Sequence, residues 1–260
     1  MDRFESITSY LSTFDIRVNI MENIANQEQW LAGEREPKLL FKYKKIATVL
    51  DLSRLVYSIK HNKIYLPEAS NLNDSLEGMG TVLVGDMLEN EQQVRDKFRI
   101  LALSESCFSP VMWSHYADNR RGICLCFKKG NRFDINNTSA FKEAERIDYV
   151  TERNMFSSDT YQAIRDNLNC KNNDWSYERE WRIIKETTDE YMCYNSNDLA
   201  CIIFGEKTDE MSKELIKNTF PHIAFYSIES DPQKYRLVMR NLVTHISIDS
   251  VEALFNDINT

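Results

Sequence analysis

The segment Trp175–Arg182 (WSYEREWR) of this 260-residue chain carries charged residues at every second position, Glu178, Glu180 and Arg182, together with three aromatic residues. An extended strand places successive side chains on opposite faces, so Glu178, Glu180 and Arg182 would share one face. The two carboxylates would lie roughly 7 Å apart, at about 3.3 Å per residue. A carboxylate pair at this spacing can bind a sugar hydroxyl, or one carboxylate can raise the pKa of the other.

The opposite face of this predicted strand carries Trp175, Tyr177, Trp181 and Ile183. Such a face is typical of a sheet packed on a core. We therefore predict that the rings face the core while the charged side chains face a cleft. The alternative is a half-exposed strand whose charges only pair across the sheet, and the spacing alone does not decide between the two.

A basic residue and an aromatic residue, Lys42 and Tyr43, lie on an early predicted strand. Lys42 could contact a phosphate, and Tyr43 could stack on a base or a nicotinamide ring. The alternative is a lysine whose stem lies along the core beside a core tyrosine. A polar loop at 71–77 (NLNDSLE) could present Asn73 to the same site, although its acidic residues also have the spacing of a helix-capping box.

A short helical turn is predicted around Pro110–Ala117, and it carries the motif MWSHYA at 112–117. Trp113 and Tyr116 are three residues apart and share one helical face, which usually packs on the core. His115 lies off that face and could reach the cleft of the glutamates. Because the chain has four histidines in all, His115 is the strongest candidate for a proton donor.

The elements that must position these residues mix strands and helices. The patterns predict strands at 39–43, 63–69, 99–104, 121–127, 146–150, 200–204 and 222–228, and helices at 46–60, 81–97, 158–169 and 208–219. No regular alternation of strand and helix appears, so we predict an α+β domain over 39–260. Helical spacing over 5–33 predicts that residues 1–38 form an N-terminal helical extension, which packs on the domain or binds a partner protein.

The bulk composition excludes several classes of protein. A net charge of −8 gives no overall basic field for nucleic acid. The six cysteines form no CxxC pair, and no histidine stands at ligand spacing from a pair of cysteines. We therefore expect reduced thiols and no bound metal. No apolar run approaches the roughly 18 residues of a membrane helix, and the first residues do not resemble a signal peptide. We expect a cytoplasmic protein with no membrane contact.

The order FKYK, NLNDSLE, MWSHYADNRRGICLCF and K-x3-WSYEREWR resembles the family of domain of unknown function 2971, which occurs in bacteria and phages. Its pattern runs Tyr-Lys-Tyr, Asn-Asp-Pro-x-Glu, Met-Trp-x-His-Tyr-x5-Gly and Lys-x3-Trp-x-Tyr-Glu-x-Glu-Trp-Arg. The resemblance covers roughly 39–205. This chain departs from the pattern at Phe41, where tyrosine is common, and at Ser75, where proline is usual.

The motif order is also similar to that of ADP-ribosyltransferases. That resemblance implies a central mixed or antiparallel split sheet flanked by helices, with NAD as substrate. It implies that Glu180 grips the nicotinamide-side ribose and stabilises the oxocarbenium ion, and that Glu178 is the acceptor-side acid. Arg182 would keep Glu180 ionised. The residues implied to hold NAD or line its pocket are Lys42, Tyr43, Asn73, Trp113, His115 and Tyr116.

The leading hypothesis is a NAD-cleaving enzyme, an ADP-ribosyltransferase or a NAD glycohydrolase, acting as a bacterial toxin or in anti-phage defence. The acceptor of the ADP-ribose group would be a protein or a nucleic acid. We expect Glu180→Gln to abolish activity while leaving the fold intact. One alternative is a metal-dependent nuclease or phosphoesterase that uses Asp74, Glu77 and the two strand glutamates. The other is a non-catalytic interaction module.

Overall fold

The computed structural model describes residues 36–72, 74, 95–132, 134–152 and 160–259, without the side chains of 160–163. The predicted helix at 5–33, most of that at 81–97, and Asn73 lie outside the described residues. The chain divides into two compact units, 1–37 and 38–260. The described strands and helices all belong to the second unit.

The described part of the chain contains strands, α-helices and short 3-10 helices. The strands are β1 (Leu39–Lys44), β2 (Lys63–Tyr65), β3 (Phe98–Ser104), β4 (Ile123–Lys128), β5 (Glu145–Arg146), β6 (Asp148–Val150), β7 (Cys170–Asn172), β8 (Glu180–Glu186), β9 (Tyr191–Cys193), β10 (Leu199–Phe204), β11 (Ala224–Ser230), β12 (Leu237–Asn241) and β13 (Ser247–Ile248). The α-helices are α1 (Val49–Lys60), α2 (Pro110–Tyr116), α3 (Thr160–Asn167), α4 (Glu210–Thr219) and α5 (Val251–Ile258). The 3-10 helices are Ala69–Asn71, Asn173–Glu178 and Ser196–Asp198.

Nine of the described strands form one mixed sheet in the order β13-β12-β11-β10-β4-β1-β3-β8-β5. Neighbouring strands are antiparallel except β10 and β11, which run parallel and are connected through α4. The strands β2 and β9 pair as a separate antiparallel ribbon, and β6 and β7 as a parallel one. A large mixed sheet with several helices confirms the predicted α+β class.

Both faces of the sheet are buried under helices. Side chains alternate along β4, so that Leu125 faces one core and Cys126 faces the other. Leu55 of α1 and Ile216 of α4 pack in the first core. The second core contains residues of α2 and α5, including Leu254. Strands covered on both faces read as continuous apolar runs, which is why ICLCF and ACIIF were recognisable as strands.

The sheet is least continuous between β1 and β3. One register pair, Phe41 with Ser104, joins these two strands. Six register pairs join β1 to β4, and seven join β3 to β8. We call the β1–β3 pairing the seam of this sheet.

The prediction of one continuous strand over residues 175–182 is wrong in its first half. Residues Asn173–Glu178 form a 3-10 helix, because the Asn172 side chain accepts a hydrogen bond from the Asp174 N–H and starts a turn. Arg179 then adopts a left-handed conformation, with φ 47° and ψ 54°, and β8 begins at the next residue. From Glu180 onward the side chains alternate between the two faces of the sheet, and Trp181 faces the first core.

Trp175 and Tyr177 consequently do not share the buried face of Trp181. Both rings are half-buried, and Tyr177 packs at the margin of the second core. The period-2 pattern of aromatic residues across 175–181 thus spans a helical turn and a strand, two elements with different side-chain periods.

Candidate active site

A cavity of about 250 Å³ lies at the seam between β1 and β3. We call it the seam cavity. Its polar lining residues are Lys42, Tyr43, Asn71, Ser104, Tyr116, Lys171, Glu178, Glu180 and Arg182. They come from β1, β3, α2, β7, β8 and two 3-10 helices, so segments distant in the sequence converge on one cavity.

Lys171 bridges the two glutamates. Its Nζ donates hydrogen bonds to Oε2 of Glu178 at 2.6 Å and to Oε2 of Glu180 at 3.1 Å. All three side chains are about 5% exposed. Two buried carboxylates repel each other, and a shared ammonium group offsets that repulsion.

Arg182 holds Glu180 from the other side. Its Nε donates to Glu180 Oε1 at 2.6 Å and its Nη2 to Glu180 Oε2 at 3.0 Å, which is a bidentate pairing. Its Nη1 donates to the Leu168 carbonyl oxygen at 2.6 Å. The side chain is fully buried. Lys171, Glu178, Glu180 and Arg182 together form what we call the ion cluster.

Glu178 is held differently from Glu180. Its Oε1 accepts a short hydrogen bond from the Tyr116 hydroxyl, while its Oε2 accepts from Lys171. The Ser104 hydroxyl fixes the backbone here by donating to the Glu178 carbonyl oxygen at 2.7 Å. Glu178 therefore contacts a cation and a phenol, whereas Glu180 contacts two cations.

The pKa values in the ion cluster follow from burial and mutual charge. Burial raises the pKa of Glu180 above its ordinary value, and the positive charge of Lys171 opposes this shift. Burial lowers the pKa of Arg182. Burial would also lower the pKa of Lys171, but the two carboxylates outweigh it and raise that pKa above its ordinary value. Lys171 is therefore charged at neutral pH.

Lys42 places a further cation in the seam cavity. The side chain is half-buried, and its Nζ donates to the Ala102 carbonyl oxygen of β3 at 2.7 Å. Burial, with a smaller effect from Lys44, lowers the pKa of Lys42 to about 8. At neutral pH this amine is protonated but close to releasing its proton. The two lysines of the cavity thus have pKa values shifted in opposite directions.

The structure brings six of the predicted site residues together at the seam cavity: Lys42, Tyr43, Tyr116, Glu178, Glu180 and Arg182. Tyr43 also packs into the second core, where its hydroxyl donates to the Ser106 carbonyl oxygen at 2.8 Å. Asn73 lies outside the described residues.

Trp113 and His115 are not among the described residues that line the seam cavity, and the roles predicted for them stay predictions. Trp113 is fully buried in the second core, and its Nε1 donates to the Cys107 carbonyl oxygen at 2.7 Å. His115 is exposed, with Nδ1 3.4 Å from the Tyr177 hydroxyl oxygen. Met112 and Tyr116, four residues apart on α2, both line the cavity, whereas His115 points about 100° away from Tyr116 because consecutive residues of a helix differ by that angle.

Sequence reasoning did not include Lys171 or Ser104 among the site residues. The signal for Lys171 was its place four residues before Trp175 in the K-x3-W motif. Its contacts with the glutamates depend on the turn at 172–179, which the strand prediction did not contain. Nothing in the sequence distinguishes Ser104 from other serines at strand ends.

The ion cluster does not have the composition of a metal site. Among the described residues, no group of three or more His, Cys, Asp or Glu side chains could hold a metal ion. Hard divalent cations bind carboxylate oxygens, and here those oxygens contact Lys171 and Arg182 instead.

Residues 112–183 match the family model described as protein of unknown function DUF2971. The match confirms the predicted resemblance to that family over this segment, which contains Tyr116 and the whole ion cluster. No curated protein and no solved structure matches the chain. In the part of the chain that the structure describes, no helix is long and apolar enough to cross a membrane.

Proposed function

We propose that the seam cavity is the active site of an enzyme that breaks the N-glycosidic bond between ribose and nicotinamide in NAD. The observation that carries this proposal is the pair of buried carboxylates held on one lysine beside a cavity. Positive charge develops on the ribose as this bond breaks. A fixed carboxylate shielded from water stabilises that charge by several kcal/mol, of the order of ~3.

The contacts favour Glu178 as the carboxylate that faces the ribose. Glu180 is neutralised by two cations, so less of its negative charge is available to a substrate. In the proposed step, the bond between ribose C1′ and the nicotinamide nitrogen breaks and its electron pair leaves with nicotinamide. A water molecule or an acceptor hydroxyl then bonds to C1′ and transfers its proton to Glu178. This assignment reverses the roles that the resemblance implies.

The other members of the site would position the reacting groups. Tyr116 orients the Glu178 carboxylate by donating a hydrogen bond to Oε1, and Lys171 holds its other oxygen, Oε2. Arg182 and Glu180 fix Lys171 in place. Lys42, cationic at neutral pH, would bind a phosphate group of the dinucleotide.

The family resemblance supports an effector role for this enzyme, as a cytoplasmic bacterial toxin or in defence against phages. The ADP-ribose acceptor would be a protein or a nucleic acid, and hydrolysis would result where water is the acceptor. A metal-dependent nuclease fits the site less well, because two cationic side chains occupy the carboxylate oxygens that a metal would need.

The test is release of nicotinamide from NAD, measured by liquid chromatography with the full-length protein. We expect wild-type protein to release nicotinamide and Glu178→Gln to lower kcat by about 100-fold or more. The matched control is Glu229→Gln, which removes a carboxylate from an exposed pair with Arg240. Absence of NAD consumption by wild-type protein, with and without magnesium or manganese, would contradict the proposal, as would full activity of Glu178→Gln.

A further inference from the structure

Four aromatic rings form a row beside the seam cavity. Ring centroids lie 6.1 Å apart for Trp175 and Tyr177, 6.1 Å for Tyr177 and His115, and 6.2 Å for His115 and Tyr116. We call these rings the aromatic row. Tyr116, at one end of the row, lines the cavity, and the Trp175 ring at the other end lies 4.9 Å from Nζ of Lys171, which also lines it.

The aromatic row is accessible to a ligand. His115 is exposed, and Trp175 and Tyr177 are half-buried. Trp113, on the same short helix as His115, is fully buried and shows where an aromatic ring with a purely structural role lies in this fold. Surface rings next to a polar cavity are the usual platform for a planar base, because every nucleobase has a π-face that can stack.

The volume of the seam cavity limits how much of a dinucleotide it can enclose. Cavities that enclose drug-sized ligands measure about 300–1,000 Å³, whereas the seam cavity measures about 250 Å³. A nicotinamide ribose placed against Glu178 would therefore leave the adenosine half outside. The aromatic row adjoins the cavity on the side of Tyr116 and Lys171.

We propose that the aromatic row is a base-binding subsite that stacks on the adenine ring of the nucleotide. The choice of NAD as the natural ligand rests on the proposed function, whereas the stacking itself does not. Tyr177 is one of the two inner rings of the subsite, since its ring contacts both Trp175 and His115. The cavity then binds the reacting ribose, and the row discriminates a dinucleotide from a mononucleotide that lacks adenine.

Titration calorimetry with AMP and with ribose 5-phosphate separates the base from the sugar phosphate. We expect wild-type protein to bind AMP about tenfold more tightly than ribose 5-phosphate, the contribution of one stacked base. Tyr177→Ala should remove this difference, whereas Tyr177→Phe, which keeps the ring, should retain it. The matched control is Tyr191→Ala, since Tyr191 is an exposed tyrosine that contacts Tyr57 and Tyr65 in a separate group of rings.

Equal affinities of wild-type protein for the two probes, or an unchanged preference in Tyr177→Ala, would overturn the base subsite. Nicotinamide release distinguishes this failure from that of the proposed function. AMP binding that depends on Tyr177, without any NAD cleavage, would leave the subsite standing and remove the proposed reaction. NAD cleavage with the same KM in wild-type and Tyr177→Ala protein would support the proposed reaction and overturn the base subsite.

Discussion

Lys171 is the residue on which the arrangement of both glutamates depends. It is within 3.1 Å of an oxygen of each carboxylate, in a site where all three side chains are about 5% exposed. The sequence allowed a prediction that Glu178, Glu180 and Arg182 share a site, because their spacing is short. The sequence did not allow a prediction that Lys171 belongs to this site. Lys171 lies seven residues before Glu178 and nine before Glu180, so its ion pairs with them depend on the path of the chain between them.

The buried pairing of Glu180 changes the expectation that Glu180→Gln leaves the fold intact. Glutamine would leave the buried Arg182 guanidinium without its bidentate carboxylate. Removing one partner of a buried ion pair costs about 3–5 kcal/mol, and we expect a loss of that size in the free energy of unfolding from denaturant titrations at pH 7. Glu229→Gln, which breaks an exposed Glu–Arg pair, should cost about 1 kcal/mol or less. Equal losses in the two variants would mean that the ion cluster is not buried as described.

Lys42 should react with amine-directed reagents at unusually low pH. Because burial lowers its pKa to about 8, the reactive neutral amine appears as pH rises through about 8. Mass spectrometry of acylated peptides between pH 6 and 11 would measure the labelling rate of each lysine. Lys171, whose pKa the two carboxylates raise, should remain unlabelled over the range in which Lys42 reacts. A midpoint for Lys42 near the ordinary lysine value of about 10.4 would contradict the described burial.

The turn between β7 and β8 is the element that assembles the site. Its 3-10 helix carries Glu178 and two rings of the aromatic row, and left-handed Arg179 connects it to Glu180. Periodicity could not reveal this turn, because alternating aromatic residues fit a strand equally well. The local signal was Asn172, whose side chain accepts a hydrogen bond from a backbone N–H two residues later. By contrast, β8 itself was predictable, since its charged and apolar residues alternate as a strand requires.

The left-handed conformation of Arg179 predicts unequal effects of two substitutions at this position. Arg179→Val places a β-branched residue at φ 47°, where such residues are strained, and should cost about 1–2 kcal/mol. Arg179→Asn removes the same guanidinium group, but asparagine tolerates this conformation, so it serves as the matched control. Thermal unfolding should therefore show a lower Tm for the valine variant than for the asparagine variant. Identical melting temperatures would contradict the left-handed turn.

At the scale of the whole molecule, the sequence was sufficient for the α+β class but not for the order of the strands. Intermixed strand and helix patterns excluded a regular βαβ alternation. The pairing of β3 with β8 joins residues about 80 positions apart, as between Leu103 and Trp181. Periodicity reports which residues are buried and not which strands are neighbours, so the seam between β1 and β3 could not be located in advance.

The division of the chain at Pro37 predicts that residues 38–260 fold without the N-terminal segment. Every described residue that lines the seam cavity lies between Phe41 and Arg182, so we expect the shortened protein to keep the cavity. We expect residues 38–260 to unfold in a single cooperative thermal transition and to bind AMP with the affinity of the full chain. Loss of cooperative unfolding on removal of residues 1–37 would mean that the second unit depends on the first.

The most direct test of the central claim is a crystal structure with an NAD analogue that cannot be cleaved, in which carbon replaces the ring oxygen of the nicotinamide ribose. We predict that the ribose lies in the seam cavity, with C1′ about 3–3.5 Å from a carboxylate oxygen of Glu178, the separation of reacting atoms in a productive complex. Binding of the ribose outside the seam cavity, or the absence of any binding in solution at millimolar analogue, would contradict the account.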